Sequence, residues 1–188
     1  MLTEHMLRNG IIKRSNKEIY HYYIQVLIEK IIGFSAIFFL SIIWGVFLET
    51  VLFLLCFSSL RKHTGGFHAK SFAGCFIGTI GIYGAYVILF CPIIQKNMNI
   101  NMVMFITAGI VIFIIGAVNH PNMGWSKKEY NDNKMLARIV VVVELCIVIA
   151  LSYLGMGENY IMFMSFGMIL CASLLALGKI IRQEVKGG

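Results

Sequence analysis

Arg61-Lys62-His63-Thr64-Gly65-Gly66-Phe67-His68-Ala69-Lys70-Ser71-Phe72-Ala73-Gly74-Cys75 is a reactive stretch set between two apolar runs, residues 50–60 and 72–94. It holds two histidines, three cations, three glycines and a cysteine. Outward from it, long apolar runs recur along the chain, at residues 31–48, 102–118, 139–154 and 160–177. Of the 188 residues, 59% are hydrophobic and only 13% charged. A soluble domain is closer to half apolar, with about a quarter of its residues charged. An excess arranged in runs of this length predicts an all-α integral membrane protein with about six transmembrane helices. The run at 50–60 covers only about 16 Å against a hydrocarbon core of about 30 Å. It spans either by snorkelling of Arg61 and Lys62, or because the polar segment after it begins inside the membrane boundary.

Ahead of the first run, Ser15-Asn16-Lys17-Glu18 has the pattern of a capping box. Ile19, Tyr22, Tyr23, Val26 and Leu27 then recur at helical spacing, with Lys17, Glu18, Gln25 and Glu29 interleaved. Residues 1–30 therefore read as an N-terminal amphipathic segment, lying in the interface or packed on the bundle. Residues 31–188 read as the multi-span domain, with 61–75 as its active-site segment. The N-terminus lacks the charge, apolar core and small-residue cleavage site of a removable signal peptide.

The formal charge is +7. Nucleic-acid binding is a poor explanation, because the cations flank apolar runs and form no stripe on a soluble face. Fifteen of the sixteen lysines and arginines fall in the N-terminal segment, the connections at 61–71 and 119–138, and the tail. The other connections carry only Lys96. The positive-inside rule then puts both termini and segment 61–75 in the cytoplasm. The five cysteines form no CxxC pair and have no zinc spacing, so neither metal nor cofactor is expected. Cys56, Cys91, Cys146 and Cys171 lie in or at the edge of apolar runs and read as buried, inert thiols.

Cys75 differs in its polar, cationic and glycine neighbours. A cysteine attacks as its thiolate and needs a base or a lowered pKa. His68 is the candidate base and Cys75 the candidate nucleophile. On an unbroken helix the two would share a face but lie about 10.5 Å apart. Gly65-Gly66 is a poor helix interior, whereas Ser71 is a good N-cap. A helix starting there places Cys75 at the end of its first turn, where the dipole favours a thiolate. His68 is then free to fold back from the preceding loop. His63 is the rival base. The plainer alternative is that His68 caps a helix or binds a lipid headgroup while Cys75 only packs.

The pattern Arg61-x-x-x-Gly65-Gly66-x-His68-Ala69, with Cys75 beyond it, resembles the AgrB (accessory gene regulator B) family. Chain length, the basic amphipathic N-terminus and the multi-span layout extend the resemblance over nearly the whole chain. It implies a membrane cysteine endopeptidase of the bacterial cell membrane that processes the precursor of a quorum-sensing peptide. By that resemblance Cys75 is the nucleophile and His68 the general base, with Arg61, Gly65 and Gly66 in support. The implied substrate is a propeptide with an amphipathic helix, a signal segment containing cysteine or serine, and an acidic tail. The tail is released through a Cys75 acyl-enzyme, and the signal segment closes to a thiolactone or lactone. Lys62, Lys70, Lys127 and Lys128 are candidates for binding the acidic tail. Their plainer roles are orientation and contact with membrane lipids. A homodimer is a further expectation.

Glu144 lies inside an apolar run, where an acid is costly and faces the bundle interior or a cavity. It would either orient His68 or bond a neighbouring helix. Asn119 and Asn122 are alternative orienting residues, or turn residues beside Pro121. Two other classes remain open: a small transporter or channel component using Glu144 and the glycine-lined third helix, and a non-catalytic membrane scaffold. Neither should depend on Cys75.

Overall fold

The computed structural model describes residues 7, 17–67, 71–119 and 125–182. Six long helices carry the chain: α1 (Lys17–Ile43), α2 (Phe47–Thr64), α3 (Phe72–Ile94), α4 (Met98–Ile115), α5 (Lys127–Tyr153) and α6 (Glu158–Ile180). The described residues contain no strand, only an isolated bridge between Gly65 and Val118. The all-α fold is as expected. Among the described residues, α3, α4, α5 and α6 are long and apolar enough to cross a membrane. α2 carries Glu49 in its first turn and Arg61 and Lys62 in its last.

Several boundaries differ from the sequence pattern. From Lys17 to Ile43 the described part of the amphipathic segment and most of the first apolar run form one helix, α1, unbroken through residue 30. The proposed cap at Ser15 lies outside the described residues. The break between the first two helices falls at Trp44-Gly45-Val46 rather than at Glu49, because Gly45 takes φ +70 and reverses the chain. Glu49 is thus in the first turn of α2. The short run at 50–60 gains residues at both ends, and the resulting 18-residue helix reaches about 27 Å. Its last turn is the start of the reactive stretch. The polar connection at 119–138 is half helix. Ser126 caps α5, its side chain accepting from Glu129 N–H (3.3 Å) while the Glu129 carboxylate accepts from Ser126 N–H (2.8 Å). That Ser-x-x-Glu pattern is a local signal for a helix start. Inside α3, residues Tyr86–Phe90 form a π turn. A regular α-helix there would drive the ring of Pro92 into the carbonyl of Ile88, and the wider turn avoids it.

α6 is the hub. Residues 161–168 are buried without interruption, so the helix is enclosed on every side. One core cluster joins α6 to α2, α4 and α5 through Leu60, Phe105, Ile112, Val141 and Met168. The other joins it to α1, α2 and α3 through Ile37, Phe53, Tyr83, Tyr86 and Phe166. The Tyr86 ring stacks on Phe166 at 3.7 Å, and its hydroxyl donates to the Met162 carbonyl at 2.9 Å. Asn101 of α4 donates to Ser165 of α6 at 3.1 Å. Burying each polar group against a partner avoids the cost of leaving it unpaired in an apolar interior.

The C-terminal ends of α2, α4 and α6 and the N-terminal end of α5 gather at one end of the bundle. Val118 N–H donates to Thr64 O (2.8 Å), Phe67 N–H to Leu174 O (2.9 Å) and Tyr130 Oη to Ala117 O (3.3 Å). Arg61, Lys62, Lys127, Lys128, Lys179 and Arg182 therefore share that end. Lys96 lies at the other, beside the link from Gln95 to Asn159.

Candidate active site

The site grows out of the last turn of α2, where Arg61, Lys62 and His63 sit at the negative end of the helix dipole. The helix stops because Gly65 (φ +60) and Gly66 (φ +102) both take backbone angles that residues with a side chain rarely adopt. The chain leaving the helix is held from three sides. The Arg61 guanidinium reaches forward and donates from Nη1 to Gly65 O and from Nη2 to Phe67 O. Phe67 N–H donates to Leu174 O on α6. Val118, just past α4, bridges to Gly65. A Cβ on Gly66 would lie 2.7 Å from Arg61 Nη1 and 2.8 Å from Leu174 O, closer than such atoms can approach.

His68, Ala69 and Lys70 lie outside the described residues. The chain resumes at Ser71, which caps α3. Its hydroxyl accepts from Gly74 N–H (3.2 Å), and its carbonyl accepts from Cys75 N–H (3.0 Å). The helix start read from the sequence is therefore the one observed. Cys75 closes the first turn with a free, exposed thiol. Arg61, Gly65, Gly66 and Cys75 thus come together at one end of the bundle.

The remaining candidates are placed as follows. His63 Nδ1–H donates to Asn133 Oδ1 of α5 at 3.0 Å. Asn133 is oriented for this by donating its amide to Glu129 O at 3.0 Å. The side-chain amide of Asn119 donates to Trp125 O (2.9 Å) and accepts from Trp125 N–H (3.1 Å), closing the connection before α5. Asn122 lies outside the described residues. Glu144 accepts from Ser59 of the neighbouring α2. Its other carboxylate oxygen is buried with no hydrogen-bond partner among the described residues. Lys62, Lys127 and Lys128 are exposed. Cys56 and Cys171 are buried, but Cys91 is only half-buried and Cys146 is exposed on α5. For those two the expectation of burial is corrected. Both lie on helices whose outer faces are apolar, and an apolar run does not distinguish a core position from an outward one. Among the described residues, no group of three or more His, Cys, Asp or Glu side chains could hold a metal ion. Leu174, Val118 and Asn133 belong to the site's surroundings but carry no local sequence signal, since each meets the 61–67 segment only through the fold.

Arg61→Lys should loosen the turn at residues 65–67. A planar fork can hold two carbonyls at once, whereas an ammonium is a single point of donation. The measurement is amide hydrogen exchange of Phe67 in detergent, and protection matching wild type would show that the Arg61 fork does not hold the turn.

Apolar helices of spanning length, packed around a basic end with an exposed thiol, define a helical membrane protein. The family model of accessory gene regulator B matches residues 1–177, and the chain belongs to that family, which is involved in quorum sensing. It is 26% identical over 185 residues to an AgrB-like protein of Clostridium perfringens (strain SM101 / Type A), covering 90% of this chain and 86% of the relative. It is 35% identical over 100 residues to AgrB-like protein 2 of Clostridium perfringens (strain 13 / Type A), covering 53% of this chain and 46% of that protein. It is 24% identical over 165 residues to accessory gene regulator protein B of Staphylococcus aureus (strain Newman), covering 86% and 82%. No solved structure matches the chain.

Proposed function

We propose that this chain is a membrane cysteine endopeptidase that removes the C-terminal tail of a short quorum-sensing propeptide and promotes closure of the remaining segment into a ring. The observation that carries this reading is the exposed thiol of Cys75, in the first turn of a Ser71-capped helix that follows directly on the turn held by Arg61. His68 takes the Cys75 proton, and the thiolate attacks the carbonyl carbon before the tail. The carbon–nitrogen bond breaks, and the tail leaves as an amine carrying the proton returned by His68. The acyl group remains on Cys75 as a thioester. A thiol or hydroxyl of the signal segment then attacks that thioester, and Cys75 is released as a thiol. Exchange of one thioester for another is nearly balanced, so water must be kept from the acyl-enzyme. A site at the membrane boundary serves that need. The test is to trap the protein with its precursor and map the adduct by mass. A covalent species on Cys75 is expected, and an adduct that forms equally in Cys75→Ala would sink the reading.

The proposed setting is the bacterial cell membrane, with multiple spans, both termini cytoplasmic and the basic end inside. The grouping of cations at one end supports this orientation. Single-cysteine probes at Asn99 and Gly157 should label from outside the cell, and a probe at Asn131 only after permeabilisation. Labelling of Asn131 in intact cells would reverse the orientation.

The acidic tail of the propeptide is drawn to the exposed cations of the basic end. Lys127→Gln with Lys128→Gln should raise the KM for cleavage with little change in the saturating rate. Added salt should act in the same direction on the wild type, on a Debye length of about 8 Å at physiological ionic strength. If the double variant behaves like Lys179→Gln, these two lysines do not recruit the tail.

A further inference from the structure

We propose that Gly178, near the end of the last helix, is a positioning residue for the Cys75 chemistry, because its missing side chain is the seat on which residues 66 and 67 rest. This rests on the proposed cysteine-peptidase reading. A Cβ built on Gly178 would lie 2.7 Å from Phe67 N, 2.9 Å from Gly66 C and 3.0 Å from Gly66 Cα. All three are backbone atoms, so no side chain can swing aside to admit a methyl group. The seat is continuous with the hydrogen bond from Phe67 N–H to Leu174 O, one turn earlier on the same face of α6. From the opposite side, a Cβ on Gly66 would meet Leu174 O at 2.8 Å and Leu175 Cα at 2.9 Å. The two backbones are thus in direct contact, glycine against glycine, with the Arg61 fork closing over the loop.

The consequence follows from where the seat lies. Phe67 immediately precedes His68, and the Ser71 cap that presents Cys75 begins three residues further on. A methyl group on Gly178 must lift 66–67 off α6 or move α6 away. Either shift moves residues 66 and 67, which lead directly into His68 in the sequence, relative to the start of α3. Displacements on this scale can cost about 100-fold in a reaction that needs hydrogen-bond contact between base and nucleophile.

The test compares Gly178→Ala with Gly167→Ala in the full-length protein. Gly167 is an equally tight approach on the same helix, where a Cβ would meet Phe53 O at 2.9 Å and Phe57 N at 3.0 Å, but it faces α2 in the middle of the bundle. Three readouts are taken: thermal stability in detergent, cleavage of the precursor resolved into kcat and KM, and iodoacetamide alkylation of Cys75 against pH, mapped by mass. Gly167→Ala should lower the melting temperature while leaving kcat per folded molecule within about twofold. Gly178→Ala should lower kcat by about 100-fold with KM nearly unchanged, and should move the Cys75 alkylation profile to higher pH, the direction also expected for His68→Ala. Gly178→Ala with wild-type kcat and an unmoved alkylation profile overturns the inference. So does a loss of activity that only follows the loss of folded protein. If Gly178→Ala yields no folded protein, amide hydrogen exchange of Phe67 in the wild type decides. Strong protection supports the seat, and exchange at the rate of an open chain overturns it. Failure of the underlying reading looks different, because Cys75→Ala would then still cleave the precursor. A dead Cys75→Ala beside a fully active Gly178→Ala would remove this inference alone.

Discussion

Under the proposed mechanism, Cys75→Ala should abolish precursor cleavage, by on the order of 10⁴-fold or more, because the acyl group is carried on its sulfur. The four remaining cysteines provide the internal control. Cys56 and Cys171 are buried, and Cys171 Sγ lies 3.2 Å from Thr64 Oγ1. Alanine at either removes packing and lowers stability, but the rate per folded molecule should stay within about threefold. Cys91 and Cys146 are more accessible, yet they lie on the apolar helices α3 and α5 rather than at the capped start of α3. Alanine there should change neither rate nor adduct. Cleavage that persists in Cys75→Ala and disappears in another cysteine variant would place the nucleophile elsewhere.

His68→Ala should reduce cleavage by roughly 10²- to 10⁴-fold, the usual contribution of a positioned general base. His63→Ala should reduce it by no more than about tenfold. The asymmetry comes from the surroundings of His63, whose Nδ1–H is engaged by Asn133 on α5 and whose ring helps fasten α2 to α5. Its loss is expected to loosen that contact rather than remove a base. Alkylation of Cys75 against pH separates the two roles. Without a partner base the thiol should react as an ordinary cysteine, so the profile should move to higher pH in His68→Ala and stay in place in His63→Ala. If the profile moves with His63 instead, the assignment of the base is reversed.

The start of α3 was legible in the sequence because its determinants are local. Ser71, Gly74 and Cys75 lie within one turn, and the cap is a contact between near neighbours. The Gly65-Gly66 pair carried an equally local signal for a break in a helix, at the point where α2 stops. The start of α5 carried an equally local signal, the Ser126-Glu129 capping box, but the polar composition of 119–138 reads as a loop. Composition and capping disagree there, and the capping chemistry prevails. The length of α2 was misleading because apolar runs mark where a helix can meet lipid, not where its hydrogen-bond ladder stops. The ladder continues through Arg61, Lys62 and His63, whose cations suit a helix C-terminus.

The sequence by itself determined a helical membrane protein, the basic end, the family and the reactive stretch around Cys75. Each of these depends on composition, on spacing along one chain, or on contacts within a turn or two. Only the tertiary structure decided that α6 is the enclosed hub, that Glu144 bonds Ser59, and that the loop before His68 is seated on Leu174 and Gly178. The reason is physical. In a membrane, lipid is as apolar as a protein core, so a central helix and a peripheral one can have the same composition. Which helix is central is set by close backbone approaches and by buried polar pairs between helices, and those join residues far apart in the chain.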